Sequence, residues 1–176
     1  MKHHTAAHRK EIEIVFSGVS APWGFLGNMA PFPVFYEGLM WRTSEALFQA
    51  LRFEDEEIRR TIQAQKSPMA AKMKARKFAT SMTIAPMSER DIENMKQVLK
   101  LKFDTHEAIR NKLLATQCFP IIEDIGARHR ERDFFWGMKK KEHSWEGKNT
   151  MGKLLMELRE AYRTCMEGKE DVIRNL

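Results

Sequence analysis

The sequence predicts a mainly α-helical, single compact domain with a few short β-strands. Three observations lead there. A chain of 176 residues is long enough for one hydrophobic core and too short for two. With 43% hydrophobic and 31% charged residues it has the composition of a globular protein. Most of its apolar residues recur at helical spacing behind Ser, Thr or Asp residues suited to cap a helix, and strict alternation is confined to short stretches. The expected organisation is a flexible N-terminal arm over residues 1–10, one domain over 11–167 and a charged C-terminal tail over 168–176.

The elements follow in order. Residues 11–16 alternate polar and apolar and predict a half-buried strand. Residues 17–31 carry Gly18, Pro22, Gly24, Gly27 and Pro31, which predicts a long loop of the kind that often serves function. A hairpin follows, with residues 33–36 and 39–41 as arms and Glu37-Gly38 as the turn. Thr43 or Ser44 caps a helix running to about Phe53. Residues 54–65 predict a second helix, with Ile58 and Ile62 one turn apart. Ser67-Pro68 breaks it and opens a third, with serine as N-cap and proline at the first helical position. Ser88 with Asp91 resembles a capping box for a long helix carrying Ile92, Met95, Val98, Leu99 and Lys102. Asp104 or Thr105 caps the next, which buries Ile109, Leu113 and Leu114. Residues 119–122 predict a buried strand. Residues 126–148 lack periodicity and predict a second long loop, and a final helix spans about 150–167 and ends at Gly168.

The net charge of +6 and a pI near 9.4 suit an anionic partner, and equally a solvated surface, since the positive charge is spread along the chain. No apolar run of about 18 residues occurs, so no transmembrane helix is expected. The first ten residues lack the apolar segment of a secretory signal. Cys118 and Cys165 show no metal spacing and predict reduced thiols in an intracellular protein, cytoplasmic or nuclear. His3, His4 and His8 fall in the expected arm, where a loose metal-binding tail is less expected than disorder.

Several residues have the chemistry for a site. Glu45 lies in the first turn of its helix, where the dipole favours an ionised carboxylate; it is either a catalytic group or a solvated helix-end charge. Ser44 sits beside it and Gln49 one turn along, a set able to bind ribose hydroxyls. Asp133 precedes Phe134, Phe135, Trp136 and Gly137, where partial desolvation raises a carboxylate pKa; alternatively it pairs with Arg130 or Arg132. Two carboxylates flanking a sugar C1 are what glycoside hydrolysis uses. Trp23, Trp41, Trp136 and Trp145 can stack on a base or fill the core. Gly147-Lys148-Asn149 opens the last helix, whose backbone N–H groups suggest a diphosphate cradle, although neither a Walker motif nor GxGxxG is present.

Taken together, these segments resemble the NADAR superfamily, named for links to NAD and ADP-ribose, which includes the YbiA-like proteins. Phe16 falls where that family ends its first strand with phenylalanine. Leu26-Gly27-Asn28-Met29 resembles F-S-N-F, and Trp41-Arg42-Thr43-Ser44-Glu45-Ala46-Leu47-Phe48-Gln49 resembles W-x-T-S-E-H-Y-F-Q. Arg52-Phe53 and Lys102-Phe103 stand for K-F, and Ser67-Pro68 with Ala71-Lys72 for S-P-x-x-A-K. Asp133 with Trp136-Gly137 matches D-x-x-W-G, and the run from Gly147 through Gly152 to Arg159 matches G-x-N-x-x-G-x-L-L-M-x-L-R. The departures are Gly27, Met29, Ala46, Leu47 and Arg52.

The resemblance implies an N-glycosidase that separates ribose C1 from a base amine. Some members resemble enzymes acting on phosphoribosylamino-pyrimidine intermediates of riboflavin synthesis; others look like hydrolases that take ADP-ribose off the guanine amino group of nucleic acids. The expected substrate is an ADP-ribosylated guanine nucleotide or nucleic acid, with ADP-ribose as product, no membrane, and no protein partner specified. Glu45 would sit at the reacting ribose and Asp133 would orient a hydroxyl or assist proton transfer. Trp136 and Gly137 would wall the pocket, with Phe16, Trp41, Ser44 and Gly152 completing it, and Asn28, Gln49 and Asn149 would fix ribose or phosphate oxygens. Lys72 or Lys148 would meet the diphosphate or, less favoured, attack an opened ribose as an imine-forming amine. No metal and no cofactor is required by these roles. A non-catalytic ADP-ribose or NAD reader and a plain nucleic-acid-binding module stand as alternatives.

Overall fold

The computed structural model describes residues 12–174, so the N-terminal arm and its histidines lie outside the described residues. Strand β1 (Ile14–Phe16) pairs in parallel with β4 (Ile121–Glu123), placing Phe16 opposite Glu123 and drawing distant parts of the chain into one ladder. The hairpin forms as its sequence predicts: β2 (Val34–Tyr36) runs antiparallel to β3 (Leu39–Trp41). Its turn residues Glu37 and Gly38 take φ of 48° and 75°, the two positive values that a type I′ turn requires.

The rest is mainly helix. Helix α1 (Ser44–Ala50) is capped by Thr43, whose hydroxyl accepts from the Ala46 N–H at 3.2 Å, and every residue of it is buried. It packs against α2 (Glu56–Gln63), α3 (Pro68–Lys77) and α4 (Glu89–Thr105). Asp55 caps α2 and Ser67 caps α3, with Pro68 at the start as expected. Ser88 caps α4 through the Asp91 N–H, but the reciprocal half of the box does not form. The Asp91 carboxylate instead accepts from the Met87 N–H at 2.8 Å and from Arg52.

Helix α5 (Glu107–Leu114) begins one residue later than its expected caps. Asp104 and Thr105 are still in α4, where Thr105 donates to the Leu101 carbonyl and Asp104 pairs with Lys100, so His106 becomes the junction. The stretch 126–148 is not a plain loop. It contains α6 (Glu131–Trp136) and a two-stranded ribbon, β5 (Lys139–Lys140) with β6 (Trp145–Glu146). Helix α7 (Thr150–Arg174) runs through Gly168 instead of ending there. A glycine inside a helix costs only about 1 kcal/mol, and Glu167, Lys169 and Glu170 around it are good helix formers.

The core lies between α1, α4, α7 and the β1–β4 ladder, filled by Phe16, Leu47, Leu99, Phe103, Ile121 and Leu155. Among the described residues, no helix is long and apolar enough to cross a membrane. Cys118 and Cys165 are free and exposed.

Candidate functional site

A cleft of about 700 Å³ opens where the 17–29 loop, α1, α3, the end of β4 and α6 converge. Glu45 lies on its floor, 5% exposed. Both of its oxygens accept: Oε2 from the Asn28 side-chain amide at 3.0 Å, Oε1 from the Gln49 amide at 2.9 Å. The Lys72 ammonium stands 3.8 Å from Oε1. The loop that brings Asn28 here is docked on the start of α1, because the Asn28 carbonyl accepts from the Glu45 N–H at 3.1 Å and the Ser44 hydroxyl at 3.2 Å. Gln49 is itself oriented by Arg52, which donates to its Oε1 at 3.1 Å while gripping Asp91 through two bonds of 2.8 Å. A run of hydrogen bonds from Asp91 through Arg52 and Gln49 to Glu45 and Asn28 thus fixes the carboxylate from two sides.

A second carboxylate in the cleft, Glu123, was not singled out from sequence. It ends β4, with a side chain 15% exposed, and accepts from Arg128 at 3.3 Å. Its Oε2 has no hydrogen-bond partner among the described residues. Burial pushes its pKa above the ordinary carboxylate range, opposed by the Arg128 and Lys72 cations and reinforced by the negative charge of Glu45. Its sequence signal is a charged residue closing the apolar run Ile121-Ile122. Gly137 allows the backbone beside it to close up, since a Cβ there would lie 2.5 Å from the Glu123 carbonyl oxygen.

Asp133 borders the cleft, half-buried. Its carboxylate accepts from the Arg130 backbone N–H at 3.1 Å at the start of α6, and among the described residues no ion pair joins it to Arg130 or Arg132. Trp136 lines the cleft edge-on to Phe48, ring centres 5.7 Å apart. Two arginines that sequence did not single out face the same space. Among the described residues, Arg76 on α3 donates to the Met73 sulfur at 3.7 Å and has no carboxylate partner, and Arg132 on α6 has no hydrogen-bond partner for its Nε. Burial, and then the neighbouring charges of Arg76 and Arg130, hold the Arg132 pKa below its ordinary value.

Other expected site residues are not brought to the cleft. Phe16 and Trp41 are core side chains, each 1% exposed. Ser44 is fully buried and acts on the Asn28 carbonyl. Lys148 is exposed and its ammonium lies over the Phe135 ring at 5.1 Å. Asn149 staples β4, accepting from the Glu123 N–H at 3.2 Å and donating to the Ile121 carbonyl at 2.8 Å. Gly152 lets α7 approach that strand, since a Cβ there would meet the Ile121 oxygen at 2.1 Å. Part of the expected diphosphate cradle at the start of α7 is engaged within the fold. Its Lys148 and Asn149 N–H groups already donate to the carbonyls of Phe134 and Gly137, at 2.7 and 3.3 Å. Trp145 donates to Glu13 on the outer ribbon side, and Trp23 packs beside Phe25. Among the described residues, no group of His, Cys, Asp and Glu is gathered as a metal site.

This is a helical domain with a concave site where the Glu45 and Glu123 carboxylates, the Lys72 ammonium and the Arg76 and Arg132 guanidiniums converge. Residues 7–163 match the NADAR domain family, and the chain belongs to it. It is 37% identical over 147 residues to the N-glycosidase YbiA of Escherichia coli, covering 84% of this chain and 86% of that one. It is 36% identical over 147 residues to the N-glycosidase YbiA of Shigella boydii, with the same shares covered. A riboflavin biosynthesis protein of Vibrio vulnificus is 29% identical over 142 residues, 78% of this chain and 35% of that longer protein. The NMR structure of E. coli YbiA superposes with a TM-score of 0.66 at 32% identity, covering 93% of each chain.

Proposed function

We propose that the protein is an N-glycosidase that removes ADP-ribose from ADP-ribosylated guanine in nucleic acid, breaking the bond between ribose C1 and the base nitrogen. The observation that carries this is Glu45, held by Asn28 and Gln49 on the floor of a cleft that also holds Glu123. Cleavage of an N-glycosidic bond builds positive charge at C1, and a carboxylate fixed beforehand stabilises it without having to reorganise. Glu45 supplies that charge and activates the attacking water. Glu123, whose burial favours the neutral acid, hands a proton to the departing nitrogen. Asp133 orients a sugar hydroxyl at the rim, and Trp136 with Phe48 forms the aromatic wall. The diphosphate meets Arg76 and Arg132, whose guanidiniums have no carboxylate partner, rather than Lys148.

One contact favours a second route to the same products. Lys72 stands beside Glu45. With Glu45 accepting its proton, the amine would attack C1 of a ring-opened ribose, form an imine as the base amine leaves, and be released by water. Borohydride traps that intermediate on Lys72, and the direct water route leaves nothing to trap. The relative named for riboflavin biosynthesis supports an alternative substrate, a phosphoribosylamino-pyrimidine, cleaved by the same chemistry.

The test is to incubate the protein with ADP-ribosylated guanine DNA and, separately, with the phosphoribosylamino-pyrimidine, and to measure free ADP-ribose and free ribose 5-phosphate. Release of ADP-ribose is expected, reduced on the order of 10²–10³-fold by Glu45→Gln. Undiminished release by that variant removes Glu45 from the mechanism. Binding of ADP-ribose without release from either substrate makes the domain a reader.

A further inference from the structure

Lys102 is fully buried in the middle of the domain and has no acidic partner among the described residues. A buried ammonium is costly, and lysine is seldom fully buried unless paired. Its contacts explain where it is held. The ammonium donates to the Phe25 carbonyl and, at 2.9 Å, to the Gly27 carbonyl. Its remaining surroundings are the rings of Phe32 and Phe103, 5.5 and 5.2 Å from the nitrogen. The Gly27 carbonyl immediately precedes Asn28, whose amide donates to Glu45, and the Phe25 carbonyl lies two residues further back. Segment 25–28 is therefore gripped twice, from beneath by Lys102 on α4 and from the side by the start of α1, which binds the Asn28 carbonyl.

We infer that Lys102 is a positioning residue: by holding the carbonyls of Phe25 and Gly27 it keeps the Asn28 amide on the Glu45 carboxylate. It touches neither substrate nor reacting atoms, and it does not line the cleft. The inference rests on the role proposed for Glu45, and it extends that role to the layer behind the site. The grip depends on charge. Burial alone lowers the Lys102 pKa from 10.5 to about 7, with no neighbouring titratable group contributing. The neutral amine keeps two N–H donors but loses the charge-assisted part of both bonds.

Full-length wild type, Lys102→Met, Asn28→Ala and the double variant are compared by backbone hydrogen exchange without substrate and by kcat and KM with it. Lys102→Met is expected to speed exchange in segment 25–28 relative to β2 by about tenfold, the equivalent of about one net hydrogen bond. It lowers kcat with little change in KM. Asn28→Ala lowers kcat similarly, and the double variant loses no more than either single one, because both act on one linkage. Should Lys102→Met not fold, Lys102→Gln, which keeps N–H donors but not the charge, carries the same two readouts, with faster exchange in 25–28 relative to β2 and a lower kcat expected. Unchanged exchange in 25–28, or losses in kcat that simply multiply in the double variant, overturns the inference. If no substrate is turned over while the exchange still responds to Lys102, the glycosidase proposal fails and the structural linkage stands.

Discussion

The Glu45 and Glu123 carboxylates of the cleft differ in what surrounds each oxygen. Glu45 has both oxygens engaged by amide donors, with an ammonium nearby. Glu123 has one oxygen on Arg128 and the other with no partner, in surroundings that favour the neutral acid. That asymmetry separates a charge stabiliser from a proton donor, the division of labour that paired carboxylates use in glycoside cleavage. It makes a prediction about leaving groups. An amine must be protonated as it departs; p-nitrophenolate need not be. Glu123→Gln is therefore expected to cut cleavage of the base amine by roughly 10²–10⁴-fold and to spare a p-nitrophenyl riboside. The pH dependence follows in sign. If Glu123 is the proton donor, kcat on the amine substrate falls as pH rises through its raised pKa, and that limb vanishes with p-nitrophenolate. Equal losses on both substrates would show that Glu123 shapes the cleft and moves no proton.

Among the described residues, α3 and α6 supply the cleft cations that have no carboxylate partner, Arg76 and Arg132. Arg76 lies one turn beyond Lys72 on α3, and Arg132 precedes Asp133 on α6. If they hold phosphates, their contacts are equally strong in ground and transition states, so Arg76→Ala with Arg132→Ala raises KM for an ADP-ribosylated substrate and leaves kcat near wild type. A p-nitrophenyl riboside without phosphate should not sense either change; an equal KM rise with that compound removes the phosphate role. The two helices also show what a sequence makes visible. The start of α3 is written locally, as Ser67 accepting from Ala70 with Pro68 behind it, and the same holds for Thr43 and for the Glu37-Gly38 turn. Helix α6 has only six residues, too few for an apolar repeat to register, and its position comes from Gly137 packing on the Glu123 carbonyl. Glu123 itself reaches the cleft through the parallel pairing of β1 with β4, a long-range contact that no local pattern encodes. Asn149 and Trp41 stand in family motifs for packing reasons that only the folded chain displays, one stapling β4 and the other filling the core.

Across the whole molecule, two of the shifted groups, Lys102 and Glu123, tie stability to pH in opposite directions. Lys102 has a folded pKa of about 7 against an ordinary 10.5, so between those values the unfolded chain binds the proton that the folded chain has released. Stability therefore rises with pH over that window, and below about pH 7 the group adds no slope. Glu123 is raised from 4.5, so from there up to its folded value the folded chain holds the extra proton, and stability falls as pH rises. The net charge of +6 also shrinks towards zero near pH 9.4, which relieves self-repulsion in any variant of the same fold, so the wild type must be compared with variants rather than judged alone. Urea unfolding midpoints measured from acid to alkaline pH should rise above about pH 7 in the wild type more steeply than in Lys102→Met, and Glu123→Gln should lose only the fall on the acid side. Parallel curves for wild type and Lys102→Met would mean that this lysine keeps its proton inside the fold. Its hold on the loop beneath Asn28 would then be as strong at pH 9 as at pH 6, on the order of one charge-assisted bond to each carbonyl throughout.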